Sequence, residues 1–203
     1  MRSTVRMGLG IALMALSGSA WLRQVARFYV EIIRGVAIIV LLFWIAFAGV
    51  PAGVVAWNWL TTPLRDAGIL GNLAVRDIPL LWRAVMALTI GYSAFIAEVF
   101  RAGIQAVDKG QIEAAKALGL SRVQRFRLIV FPQMFRAVFH PVTNQAVWAI
   151  LMTSLGVVVG LNTDLTGVTQ EFNVLTFRTF EYFAIAAVIY YLIAKFITLS
   201  ARL

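Results

Sequence analysis

The chain alternates long charge-free stretches with short charged ones. Arg6 and Arg23 bracket an apolar run from Met7 to Leu22, and no residue between Gly35 and Leu64 carries a charge. The second stretch exceeds the ~20 residues a helix needs to cross a bilayer. Pro51 is expected to kink or end its helix, and Trp57 and Trp59 read as interfacial anchors. Further apolar runs cover about Leu81–Val99, Pro141–Leu161 and Tyr182–Leu199. Arg83 is expected to snorkel at the start of the first of these. Lys195 interrupts the last near its end, and Tyr182, Tyr190 and Tyr191 give it aromatic anchors. The pattern predicts an all-α membrane protein with one domain over 1–203 and about five transmembrane helices, near 7–22, 35–60, 81–99, 141–161 and 182–199. The first run is short for a crossing. Arg2 and Arg6, the run Gly8–Leu16 and the small residues Ser17-Gly18-Ser19-Ala20 also fit a secretory signal peptide.

Between the third and fourth spans, about 101–140, lies a segment far longer than a turn requires, and long loops of this kind are often functional. Its pattern predicts two short helices. The first covers Gly110–Leu118 and ends at Gly119 as a left-handed cap. The second opens at Ser121, whose spacing to Gln124 is that of a capping box. It continues over Arg122–Val130, and Pro132 is expected to stop it. On the first helix Gln111, Ala114, Ala115 and Leu118 form one stripe, with small alanines at its centre and Glu113 beside it. Such a stripe suits a helix lying on the chain's own membrane domain and equally one docked on a partner.

Composition sharpens the class. Of 203 residues 61% are hydrophobic and 13% charged, where soluble domains hold about 45–50% apolar and about 25% charged residues. The absence of cysteine excludes a disulfide scaffold and a thiolate metal site. The single histidine, His140, makes no metal site. There is no phosphate-binding G-x-x-x-x-G-K-[ST] stretch, so the chain is not expected to hydrolyse ATP, and no nucleophile–base pair stands out. The net charge of +9 follows topology. Of 18 cations, 12, from Arg23 to Arg202, fall in segments after the first, third and fifth spans. The positive-inside rule therefore places 101–140 in the cytoplasm, with the N-terminus out and the C-terminus in. No nucleic-acid partner is needed to account for the surplus.

The segment Glu113-Ala114-Ala115, three residues, Gly119, nine residues, Ile129, one residue and Phe131-Pro132 resembles the EAA loop of ABC importer permeases, E-A-A-x3-G-x9-I-x-L-P, with Phe131 in place of the leucine. Tyr29-Val30-Glu31 with Arg34-Gly35 resembles the Y-V-E-x-x-R-G signature of the polar amino acid type, close to the histidine/glutamine/glutamate permeases. Ser93–Ile104 looks like their A-Y-I-A-E-x-x-R-G-G-I stretch, and Asp164–Gly167 with Gln170-Glu171 resembles their L-T-G-x-x-Q-E segment. The resemblance implies a type I permease fold in the bacterial inner membrane. It implies a coupling helix carrying Gln111, Glu113, Ala114, Ala115, Leu118 and Gly119, with Ile129 and Pro132 completing the motif. ATPase subunits holding ATP and Mg would dock on it, while this chain binds no cofactor itself. An extracytoplasmic solute-binding protein and a second permease chain would complete the assembly in membrane lipid. The alternative is an ATP-independent carrier or channel, a class that favours pore-lining charges.

Glu31/Arg34 and Glu98/Arg101 are i, i+3 pairs at cytoplasmic helix ends. They suit local ion pairing or an intracellular gate. The chain also departs from the pattern. Val36–Leu41 replaces the family's T-P-L-L-V-Q, and Leu151 and Met152 stand where Lys and Asp are usual. Both changes remove polar groups that membrane proteins retain chiefly for use. Tyr92, Ser93, Asn144, Gln145, Thr153 and Ser154 remain as candidates for a cavity or for hydrogen bonds between helices. A heterodimer, with a partner permease supplying most substrate contacts, is therefore expected over a homodimer. The family's first span begins upstream of the region where this chain starts, which predicts a truncated first helix or a misassigned start.

Overall fold

The computed structural model describes residues 2–66 and 68–201, so Arg202 of the charge tally lies outside the described residues. All regular structure among those residues is helical. The elements are α1 (Arg2–Ala15), α2 (Ala20–Gly35), α3 (Ile38–Leu60), α4 (Leu80–Gln105), α5 (Lys109–Ala117), α6 (Arg122–Val159), α7 (Leu165–Thr176) and α8 (Thr179–Ser200). Four of them, α3, α4, α6 and α8, are long and apolar enough to cross a membrane. Contacts group the chain into two compact units. One comprises Met1–Gly35, Tyr92–Ile150 and Leu192–Leu203, the other Val36–Gly91 and Leu151–Tyr191.

The first predicted span does not form as one helix. The run 7–22 is broken after Ala15, where the Ser17 N–H bonds the Met14 carbonyl and the Ser17 hydroxyl bonds the Ser19 carbonyl. Serine hydroxyls offer the backbone such local alternatives to a helix, and Gly18 adds a residue with poor helix propensity. Helix α1 is built into the first unit. Ala12 shares a core with Ile96, Phe100, Met134 and Val138, and Gly8 lies where a Cβ would come within 2.6 Å of Ile96 Cγ2.

The helix stop expected at Pro132 is corrected, and of the kink or end expected at Pro51 the end does not occur. Pro51 lies inside α3 and Pro132 inside α6, and both helices run on. A wide turn precedes each proline. Residues Ile45–Gly49 and Phe126–Val130 are π-helical, and the residue before each proline donates five back, Val50 to the Ile45 carbonyl and Phe131 to Phe126. Widening the turn eases the clash between a proline ring and the carbonyl of the preceding turn. It also orphans a carbonyl. The residue five on from Ala46 is Pro51, which has no N–H to give. Arg83 supplies the bond: Nη1 donates to the Ala46 carbonyl at 3.3 Å and Nε to the Ile78 carbonyl at 2.9 Å, and Nη2 donates to Val75. The expected snorkelling arginine is thus directed into protein backbone. Replacing it as Arg83→Met should lower stability by about 1–3 kcal/mol, the cost of leaving buried polar groups unpaired. A thermal melt in detergent unchanged from wild type would refute this role.

Of the remaining predicted spans, 81–99 extends to Leu80–Gln105 and 182–199 to Thr179–Ser200. The span expected at 141–161 is the later part of α6, which continues through Pro141 and closes as a 3₁₀ segment over Met152–Val159. Little of α8 is buried; Ala186 is its buried residue. A helix apolar on all sides and so exposed suits contact with lipid or another membrane chain. In the first unit α4 and α6 meet at Gly103, where a Cβ would fall 2.2 Å from Val138 Cγ1.

Candidate functional site

The predicted loop of 101–140 shrinks to a short connection, because α4 continues to Gln105 and α6 begins at Arg122. The first loop helix, predicted at Gly110–Leu118, is α5 at Lys109–Ala117. Its start is fixed by a residue the sequence reading missed. The Asp108 carboxylate accepts the Gln111 N–H at 3.2 Å, satisfying one of the orphan donors of a helix start. The signal was present as an aspartate three residues ahead of a helical Gln. The end is as predicted: Gly119 adopts φ +76°, a left-handed cap that suits glycine. The expected capping box also forms. The Ser121 hydroxyl accepts the Gln124 N–H at 3.3 Å, and the Gln124 side chain accepts the Ser121 N–H at 2.9 Å.

The predicted stripe divides between two surroundings. Ala115 is 2% exposed and packs inward, as does Val107 just before the helix. Gln111, Ala114 and Glu113 are exposed, and Leu118 is 80% exposed. The Gln111 side chain also hydrogen-bonds Gln133 of α6, tying α5 to the long helix. Of the motif's second half, Ile129 is half-buried and Pro132 exposed. The helix is held from one side, by alanine and a side-chain amide pair, and offers a leucine and a carboxylate on the other.

A charged cleft of about 340 Å³ lies at the end of α4 nearest this connection, lined among others by Arg27, Glu31, Arg34, Glu98 and Arg101. Glu98 and Arg101 form the expected ion pair through two hydrogen bonds, and Arg101 Nη1 also donates to Gln105 Oε1 at 3.0 Å. The companion pair is a correction. Among the described residues Glu31 and Arg34 form no ion pair, because the Arg34 guanidinium lies over the Phe95 ring, 5.6 Å from its centroid, a cation–π contact.

The cavity candidates are divided between the two units, Tyr92, Ser93, Asn144 and Gln145 in the first and Thr153 and Ser154 in the second. Tyr92 is buried, and Ser93 is fully buried with its hydroxyl 2.7 Å from that of Tyr29 on α2, a bond between helices. Burial raises the Tyr29 phenol above its ordinary value, more than the Ser93 bond lowers it, so it stays neutral. The Ser154 hydroxyl turns back to the Leu151 carbonyl at 2.7 Å. Asn144 and Thr153 are exposed and Gln145 is half-buried. No group of metal-ligating side chains occurs among the described residues.

Against known proteins, the family described as binding-protein-dependent transport system inner membrane component matches residues 6–203. The octopine transport system permease protein OccM of Rhizobium radiobacter is 32% identical over 95% of this chain and 75% of its own length. The L-cystine transport system permease protein TcyL of Bacillus subtilis is 33% identical over 93% of this chain and 72% of its own. A solved structure described as an amino acid ABC transporter with histidines superposes with a TM-score of 0.77 at 33% identity, covering 99% of this chain and 85% of that one.

Proposed function

Because this chain belongs to the family of binding-protein-dependent transport system inner membrane components, it is a multi-pass permease subunit of an ABC importer, and we propose that its cargo is a polar amino acid and that α5 is the surface on which a separate ATPase docks. The family and the relatives favour this importer over the ATP-independent carrier or channel. The cargo reading is supported by relatives named for octopine and L-cystine transport and by a neighbouring structure described as an amino acid transporter. The docking reading is carried by one observation: Leu118 stands 80% exposed at the C-terminal cap of a helix that lies between spans, fixed from behind by buried Ala115. An apolar side chain held out on a rigid polar helix marks a contact surface. ATP and Mg belong to the ATPase, and an extracytoplasmic binding protein delivers cargo. Uptake of labelled L-cystine, arginine and glutamine into proteoliposomes holding the chain, its ATPase, its binding protein and ATP tests the reading; no ATP-dependent uptake of any amino acid would overturn it.

The orientation belongs to the same proposal, with α5 in the cytoplasm, the C-terminus in and the N-terminus out. Support comes from the cation distribution and from α1. Gly8 meets Ile96, whereas Ala15, a further two turns along, lines the cleft with Glu98 and Arg101. Helix α1 therefore runs in the same direction as α4, towards the α5 side. The cysteine-free chain allows a direct check: Lys116→Cys should resist an impermeant thiol reagent in intact cells and react in inside-out vesicles. Labelling in intact cells would reverse the orientation.

The departures at Val36–Leu41 and Leu151-Met152 support a heterodimer whose second permease supplies most cargo contacts. An apolar half does not satisfy an ammonium and a carboxylate, since burying unpaired charge costs several kcal/mol. Tagged and untagged copies of this chain, expressed together with a neighbouring permease, should not co-purify with each other. A transport-competent homodimer with ATPase and binding protein alone would defeat the idea.

A further inference from the structure

The helix α2 is amphipathic in three sectors rather than two. Tyr29, Ala26, Leu22 and Ile33 point at the protein, with Ala26 buried and Tyr29 bonded to Ser93. Gln24 and Glu31 are exposed on a polar sector. Trp21, Val25, Phe28 and Ile32, spaced i, i+4, i+7 and i+11, form a third sector that is apolar and exposed, Trp21 by 71% and Phe28 by 65%. A soluble surface would not carry such a stripe, and a buried or spanning helix would not carry Arg23, Arg27, Glu31 and Arg34.

We propose that α2 lies in the plane of the membrane surface on the α5 side, with the Trp21–Val25–Phe28–Ile32 stripe sunk in the headgroup–acyl boundary. Its level against α4 carries the argument. Tyr29 reaches Ser93 and Arg34 covers Phe95, within the charge-free part of α4, while Arg27, Glu31 and Arg34 line the cleft with Glu98 and Arg101, where α4 becomes charged. Helix α2 thus crosses α4 at the depth where that helix leaves hydrocarbon. A tryptophan and a phenylalanine on the stripe suit this boundary, where amphipathic helices bury their apolar face about 5–10 Å deep.

The test uses single cysteines, Val25→Cys, Phe28→Cys, Ile32→Cys and Gln24→Cys, spin-labelled in the complete transporter in phospholipid nanodiscs and taken from the fraction that retains its ATPase. Collision rates with oxygen, which partitions into lipid, and with a nickel chelate, which stays in water, are compared. The expected result is oxygen-favoured labels at 25, 28 and 32 and a chelate-favoured label at 24. Chelate-favoured labels at 25 and 28 would overturn the proposal by placing the stripe in water. Labels at 25 and 28 shielded from both reagents would overturn it in favour of a second permease chain as the occupant. Neither outcome bears on cargo or on ATPase docking, since only assembled complexes are read.

Discussion

Leu118→Glu is expected to abolish uptake while leaving the permease folded. The side chain is 80% exposed, so the substitution removes no internal packing, and surface changes of that kind stay within about ±0.5 kcal/mol of stability. At a docked interface the same change loses the ~1.5–3 kcal/mol of burying a leucine and adds a desolvated carboxylate worth several kcal/mol more. At about 1.4 kcal/mol per tenfold, ATPase affinity should fall at least 100-fold. Glu113→Lys should act in the same direction by reversing the charge beside the stripe. Gly119→Val should act through backbone geometry. Nothing lies within 4 Å of its Cβ position, but φ is +76°, and a β-branched residue there costs roughly 1–2 kcal/mol and tilts the end of α5. The measurements are retention of the ATPase on immobilised permease and uptake in proteoliposomes, with the thermal melt as control. Wild-type retention and uptake in Leu118→Glu would remove α5 from the docking surface.

Gly103→Ala should be strongly destabilising. A Cβ there meets Val138 Cγ1 at 2.2 Å and Met134 Cγ at 3.3 Å, and both partners are buried in the core that also holds Ala12, Ile96 and Phe100. Helices α4 and α6 must separate or Val138 must leave its rotamer, costs of about 1–3 kcal/mol for overpacking. Gly53→Ala on α3 is the control, since nothing lies within 4 Å of its Cβ position. Melting of the purified permease should drop by several degrees for Gly103→Ala, hold for Gly53→Ala, and recover in part when Val138→Ala makes room. Additive losses in the double variant would show that the two positions are not in contact.

The sequence by itself determined the class, the helices and the loop's local chemistry, because each depends on neighbours a few residues apart. Charge-free length marks a span without reference to the fold. The Ser121–Gln124 box, the Gly119 cap and the Glu98–Arg101 pair are all satisfied within four residues, and all formed as read. The EAA spacing needed nothing beyond the chain itself. Tertiary structure decided the rest. Proline rules kink or end a helix at Pro51 and stop one at Pro132, but both helices run on through π turns, and at Pro51 the orphaned Ala46 carbonyl is met by Arg83, 37 residues away. The Glu31–Arg34 spacing promised a pair, and Phe95 took the arginine instead. Ser93 read as a cavity group or a bond between helices, and only the fold shows that Tyr29, 64 residues distant, makes such a bond with it. Local hydrogen bonds compete only with water and are legible in sequence. A carbonyl, guanidinium or hydroxyl that meets no local partner is settled by whichever distant partner packing brings within reach, and in this chain those partners lie on other helices.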